Sequence, residues 1–423
     1  MNILTINAGS GSQRCSLFQL EGPLPPTWEC RDPVREIAVD STAPGQPLGQ
    51  LNVKCTAGGR SAVVAQVPRE LPVGERTKRL LRFFWEGEGA PLKGPGDVEM
   101  AGHRIVHGGD RFDCAVEVDA QMEAAIERFS AYAPLHNPNN LAAIRATRDV
   151  CGRSTRQVAV FDTAFHRTLP RRAAVYAGPR EWEREGIRRY GFHGTNYRGL
   201  AGRAAHLLRR EGDPDLRLIL CHIGGGASVC AVRGGMSIDT TMGLTPLDGL
   251  AMATRSGAID PGIVILLQKK GKSADEIERL LNKESGLKGL SEISGDTRDL
   301  LPLAKTGHDG ANLALDVFVY RWQCAIGQML AALEDRPHAI VFSDAIAESD
   351  PELREAACRP FKFLGLQVDT EKNTQLKPDG DFASAGSKVR ALLIKSREAW
   401  QIARERAELA DEGGARGPHA LDR

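Results

Sequence analysis

A chain of 423 residues, 42% hydrophobic and 26% charged, is long enough for two domains with a large buried core. Its formal net charge of +1 supplies no broad basic surface, which argues against nucleic acid as a partner, and pairs such as Arg171–Arg172 and Arg188–Arg189 read as solvated faces. Nine scattered cysteines without a C-x-x-C pair, a start without a basic leader and no membrane-length apolar run predict a cytoplasmic protein. The cysteine usage argues against a disulfide framework or a cysteine zinc site, and no apolar run approaches a membrane span.

Residues 2–20 predict two strands, NILTIN and RCSLFQL, joined by the small polar turn AGSGSQ. The region from 21 to 100 is less informative, and TAPGQPLGQ and EGEGAPLKGPGD read as loops. HRIVHGG predicts a strand and turn, and VAVFDTAFH a buried strand with Asp162 at its end. Residues 217–240 repeat the opening grammar as RLILCHI, GGGAS and VCAVRGGMSID, which suggests two lobes built alike. Ser273 and Glu276 form a capping-box pattern, and ANLALDVFVYRWQCAIGQMLAAL has the spacing of a long buried helix. SREAWQIARERAELA predicts a polar-faced helix and DEGGARGPHALDR a tail. Strands mixed with helices throughout give an α/β class.

The turn NAGSGS offers backbone N–H groups, the Ser10 and Ser12 hydroxyls and nearby Arg14, a nest suited to an anion. HIGGGAS (222–228) repeats that offer. Either turn alone reads first as a tight hairpin, and neither is a P-loop or a dinucleotide fingerprint. His103 and His107, four apart, would suit zinc only on a helix. Arg104, with Val106 on its strand face, would present a guanidinium fork beside an apolar wall, suitable for a small carboxylate, or else be a surface Arg. Asp162 is a ligand-facing carboxylate or a helix N-cap. His193 and Arg255 are bracketed by glycines and read locally as loop residues.

Eight segments in order, NAGSGS, GHRIVHGG, APLHNP, FDTAFH, RRYGFHGT, CHIGGGASV, TMGLTPLDGLAMATRSG and SGDTRDL, resemble the acetate and propionate kinase family over nearly the whole chain. The resemblance implies the actin-like ATPase fold: two ribonuclease-H-like lobes of mixed sheet plus helices around an interlobe cleft, usually in a homodimer. The lobes would be 1–161 plus 396–423, with the C-terminal helix, and 162–395, with the nucleotide loop. The implied reaction is reversible phosphoryl transfer from ATP to acetate, giving ADP and acetyl phosphate, with Mg²⁺ (or Mn²⁺).

Carried over by motif, Arg104 and Arg255 hold the carboxylate and the transferring group, and Val106, Leu135, Phe192 and Pro246 line the methyl pocket. His193 stabilises charge on the equatorial oxygens, with His136 in support. Asp162 is the family's essential carboxylate, orienting Arg104 or acting on the nucleophile. Asn7 and Glu398 organise the metal. The phosphates and nucleotide fall to Ser10, Ser12 and Arg14, to His222, Ile223, Gly224, Gly225 and Gly226, and to Asp296, Thr297 and Arg298. The adenylate loop supplies Asp344, Ala345, Ile346, Ala347 and Glu348.

Departures cluster on the donor side. The family's loop reads roughly G-G-I-G-E-N, and here the glycines are Asp344, Ala345 and Ala347. If these positions use left-handed geometry, each alanine costs about 1–2 kcal/mol. A carboxylate at 344 would repel a phosphate charge by about 4 kcal/mol at ~4 Å and an effective dielectric near 20. Gly225 replaces an asparagine, Arg14 a lysine, Ala258 an aspartate, and IKSREAW the family's IPTNEEL around Glu398. These changes keep open a donor such as pyrophosphate and a paralogue that binds acyl phosphate without turnover, and propionate stays open as acyl substrate because one methylene is worth only about 1–3 kcal/mol in such a pocket. A metal-dependent hydrolase built on the histidines would need stoichiometric transition metal.

Overall fold

The computed structural model describes residues 1–9, 12–40 and 48–411. Ser10, most of the TAPGQPLGQ loop and the tail beyond 411 lie outside them. The chain divides into two compact units, Met1–Phe165 with the segment returning at Arg397, and His166–Ser396.

The first unit is built on an eight-stranded sheet in the order β5-β4-β3-β2-β1-β6-β8-β7. The strands are β1 (Asn2–Ala8), β2 (Ser12–Gln19), β3 (Arg35–Asp40), β4 (Gln50–Ala57), β5 (Arg60–Pro68), β6 (Met100–Ile105), β7 (Val116–Glu117) and β8 (Arg156–Phe161). β1 and β2 form the expected hairpin, while β1, β6 and β8 run parallel. Much of the uninformative stretch proves regular: β3, β4, β5 and the helix Val73–Arg82.

Strand alternation decides which side chains meet. Leu4, Ile6 and Ala8 of β1 pack with Leu80, Leu81 and Ala143 from the helices Val73–Arg82 and Asn137–Cys151. Ile3, on the opposite face, packs with Trp400, Ala403 and Ala407 of the terminal helix Glu398–Asp411. Gly102 of β6 leaves room for Ile402, which also packs with Val158 and Val160 of β8. Continuing each row to the strand end, through Thr5 to Asn7, from Gly102 to Arg104 and from Val160 to Asp162, brings these three to the carboxyl ends of three neighbouring parallel strands, on the face of that helix. β6 stops at Ile105, so Val106 lies on the bend beyond it rather than in the strand.

The second unit carries a six-stranded sheet in the order β11-β10-β9-β12-β14-β13. These are β9 (Arg217–Ile223), β10 (Ala227–Arg233), β11 (Met236–Thr240), β12 (Ala339–Ser343), β13 (Gly380–Asp381) and β14 (Arg390–Leu393). β9–β10–β11 is an antiparallel meander, and β9, β12 and β14 run parallel. The first unit's β3-β2-β1-β6-β8 and the second's β11-β10-β9-β12-β14 are therefore one pattern used twice, as the repeated hairpin grammar suggests. Ser273 and Glu276 exchange both bonds of a capping box. The long helix, Asp309–Leu333, buries Phe318, Trp322 and Met329 but leaves Tyr320 60% exposed, so only one face is core. Among the described residues no helix is long and apolar enough to cross a membrane.

Candidate active site

In the first unit four candidate residues converge. Arg104 sits on β6, and its Nε donates to both Asp162 oxygens (3.1 and 3.0 Å) while Nη2 donates to Oδ2 at 2.6 Å. Its Nη1 points to Asn7 Oδ1 (3.4 Å) and ion-pairs with Glu398 Oε2 at 3.3 Å. Asn7 Nδ2 donates to the same Glu398 oxygen at 3.1 Å. Asp162 is fully buried, at the start of the 3₁₀ turn Asp162–Thr168. Burying a carboxylate is tolerable here because the fork neutralises it, and the fork in turn loses its freedom to rotate.

The protein oxygens in this cluster come from Asn7, Asp162 and Glu398, the donor type a hard cation such as Mg²⁺ takes. Among the described residues no group of three or more His, Cys, Asp or Glu could hold a metal ion by itself. Mg²⁺ binds through one or two protein carboxylates plus water and phosphate oxygens. His103 lies on β6 and His107 just beyond it, not four apart on a helix as a zinc pair would need. His103 is buried against Gln157 (2.7 Å), and His107 Nδ1 accepts from the Gly109 amide.

The helix Asn137–Cys151 fixes the ends of β1 and β6 through two asparagines that sequence reasoning did not single out. Asn140 accepts from the Val106 amide and donates to the Ala8 carbonyl. Asn137 accepts from the His107 amide and donates to its carbonyl. Their signal was available in HNPNN: two asparagines three apart in the first turn of a helix, on the side of its buried residues Leu141 and Ile144. His136 is the N-cap residue of that helix, and Leu135 lies just before it, half-buried. On the other side of the β1–β2 turn Ser12 is exposed, and Arg14 pairs with Glu36 at 3.4 Å.

In the second unit, β9 ends in His222 and Ile223 and turns through Gly224, Gly225 and Gly226 into β10. Ser228 lies opposite His222 in the ladder, and its hydroxyl meets both His193 Nδ1 (2.8 Å) and the Tyr197 hydroxyl (2.5 Å). The His193 and His222 rings stack at 3.8 Å. His193 has φ +59, a left-handed conformation uncommon outside glycine, and caps the helix Gly194–Leu207. His193 Nε2 and Arg255 Nη1 both face Gly226, where a Cβ would stand 3.3 Å from the histidine nitrogen and 3.7 Å, an ordinary contact, from the arginine. Arg255 also donates to the Pro246 carbonyl at 3.1 Å.

The register Ser343↔His222 sets the loop after β12 beside the glycine turn. Here the structure corrects an expectation. Ala345, Ile346 and Ala347 lie in the helix Ala345–Ser349, so the two alanines carry no left-handed cost; only Asp344 does, at φ +75 and ψ 172. Asp344 Oδ2 lies 3.3 Å from His222 Nε2, where a Cβ on Gly224 would overlap it. Glu348 accepts from the Asp344 and Ser396 amides at 3.0 and 2.7 Å. Burial raises the Glu348 carboxyl above its ordinary value, and the Asp344 charge adds to that rise. Arg354, buried and unremarked in sequence, holds the Ala347 and Glu348 carbonyls and Asn373.

The remaining candidates spread out. Asp296 caps the helix Thr297–Lys305 and forks with Arg298, which lowers the Asp296 carboxyl pKa. Thr297 is buried and Arg298 exposed. Of the residues expected around the methyl group, Val106 and Leu135 belong to the first unit, and Phe192, buried, and Pro246 to the second.

The arrangement supplies a locked cation with oxygen ligands in one unit and a histidine- and arginine-flanked glycine turn in the other, the groups phosphoryl transfer to a carboxylate requires. The comparisons agree. An acetate kinase of Cyanothece sp. is 42% identical over 407 residues, 96% of this chain and 97% of its own length. Among solved structures, the acetate kinase of Porphyromonas gingivalis matches with TM-score 0.83 at 31% identity, covering 97% of this chain and 99% of its own. A propionate kinase from Francisella tularensis matches with TM-score 0.82 at 31% identity, covering 96% and 99%. With a family model matching residues 2–404 as well, the chain belongs to the acetokinase family, phosphotransferases with a carboxyl group as acceptor.

Proposed function

We propose that the chain catalyses reversible, Mg²⁺-dependent transfer of the γ-phosphoryl group of ATP to acetate, as a homodimer in the cytoplasm. The observation that carries this reading is the Arg104–Asp162 fork, fixed beside Asn7 and Glu398. An acetate oxygen, already ionised at neutral pH, attacks the γ-phosphorus, and the bond to the β-bridging oxygen breaks with its electron pair leaving on ADP. No proton need be removed, so Asp162 serves to hold Arg104 rather than as a base. Arg104 and Arg255 bind the carboxylate and the transferring group, and His193 and His136 oppose charge on the equatorial oxygens. Each such donor aimed at developing charge is worth several kcal/mol. Val106, Leu135, Phe192 and Pro246 bound the methyl group.

Asn7 and Glu398 would hold Mg²⁺, whose chemistry is to neutralise the phosphate oxygens. His222 and the 223–226 turn bind phosphate, with Ser10, Ser12 and Arg14 supporting, and Asp296, Thr297, Arg298 and the 344–348 loop receive the nucleoside side. The homodimer is supported by the helix Pro261–Lys269, where Ile263, Ile265 and Leu266 are all exposed.

The test is acetyl phosphate formation from acetate, ATP and Mg²⁺, trapped as hydroxamate. Wild-type chain should give ATP-dependent product, and Asp162→Asn should lower kcat about 10²–10³-fold. Equal rates for the two, at background, would sink the reading.

A further inference from the structure

The 222–226 turn is not open to a phosphate on the face that Asp344 covers. The Asp344 carboxylate lies over the Gly224 Cα, at the place a side chain on that glycine would occupy. His222 Nδ1 accepts from Asn196 Nδ2 at 2.8 Å, so in the neutral ring the proton sits on Nε2, the nitrogen 3.3 Å from Asp344 Oδ2. This histidine donor is therefore spent on a carboxylate of the chain itself.

This placement is held against a backbone preference. φ +75 with ψ 172 falls in a region that glycine populates almost alone, so a non-glycine residue stays there only when its surroundings over-determine it. The surroundings do. Glu348 accepts the Asp344 amide, Ser396 ties Glu348 to the segment after β14, and buried Arg354 clamps the carbonyls of Ala347 and Glu348. The β9–β12 register fixes the whole loop against the turn.

We propose that the Asp344 carboxylate is a resident anion of the 222–226 turn, which the phosphates of a donor must displace. Asp344 is thereby a determinant of donor affinity. The inference rests on the turn's assignment to donor phosphate made above. A phosphate arriving at the turn meets a fixed negative charge and a donor already in use, and both effects weaken binding irrespective of what the phosphate is attached to. The acyl side, carried by Arg104 and Asp162 in the other unit, is untouched.

The experiment compares wild-type chain with Asp344→Asn, which removes the charge, and Asp344→Gly, which also relieves the backbone. Binding of MgATP and of magnesium pyrophosphate is measured by calorimetry, with melting temperature as the check on folding. Both variants should bind both ligands at least tenfold more tightly. Unchanged affinity in both variants would overturn the proposal. So would weaker affinity, which would mean that the carboxylate recruits the donor's cation. Tightening for ATP but not pyrophosphate would overturn it too, because the carboxylate would then oppose the nucleoside rather than phosphate. Binding is read without turnover, so tighter binding in a chain that forms no acyl phosphate would uphold this inference while removing the kinase reading.

Discussion

Arg104 is set by two residues on either side of it in space, Asp162 and Glu398, that lie 58 and 294 positions away in sequence. A lysine keeps the charge but cannot make the two-nitrogen contact to Asp162. Arg104→Lys should therefore lower kcat/KM for acetate about 100-fold in the trapping assay while the melting temperature moves little. Its strand neighbour His103 gives a different prediction. Burial pushes the His103 pKa down to about 4 from 6.5. The unfolded chain takes the proton first as pH falls, so stability is full above pH 6.5 and declines toward pH 4, by about 3 kcal/mol from this group alone. Urea unfolding at pH 7 and pH 4.5 should show the decline, and His103→Gln should reduce it.

At the scale of elements, the helix Asn137–Cys151 works as a rivet. Asn140→Ala leaves the Val106 amide and the Ala8 carbonyl buried without their partner, at about 1–3 kcal/mol each. A total loss near 3 kcal/mol is expected in chemical denaturation, and a loss below 0.5 kcal/mol would show that the strand ends find other partners. The strands of the two hairpins were legible because apolar runs broken by Gly and Ser have few other solutions. The strands and helix between 21 and 100 were not, because β5 is mostly exposed and its alternation weak. Whether the alanines of the 344–348 loop carry a left-handed cost was not legible, because glycines at those positions in the family's loop do not by themselves give the backbone conformation. In fact the helix starts one residue after Asp344, where alanine is favoured.

For the whole molecule, one five-strand order occurs twice, and each copy sets its chemistry at the carboxyl ends of its parallel strands. The exposed run on the helix Pro261–Lys269 belongs to this scale, since Ile263, Ile265 and Leu266 face water and Val264 and Leu267 are only half-buried among the described residues. If that helix is the dimer contact, Ile265→Glu should convert the species seen by light scattering from dimer to monomer. An unchanged dimer would place the contact elsewhere.

The sequence by itself determined the residue types proposed for the acyl side and the family they resemble, because motif order and local turn chemistry are properties of the chain. It determined the capping box and the hairpins for the same reason: their partners are near in sequence. Only the tertiary structure decided that Glu398 reaches Asn7 and Arg104, that two asparagines hold the strand ends, and that the Asp344 carboxylate lies over Gly224. Those contacts depend on strand register and on which face each alternating side chain takes, and a one-residue slip in either would reverse them.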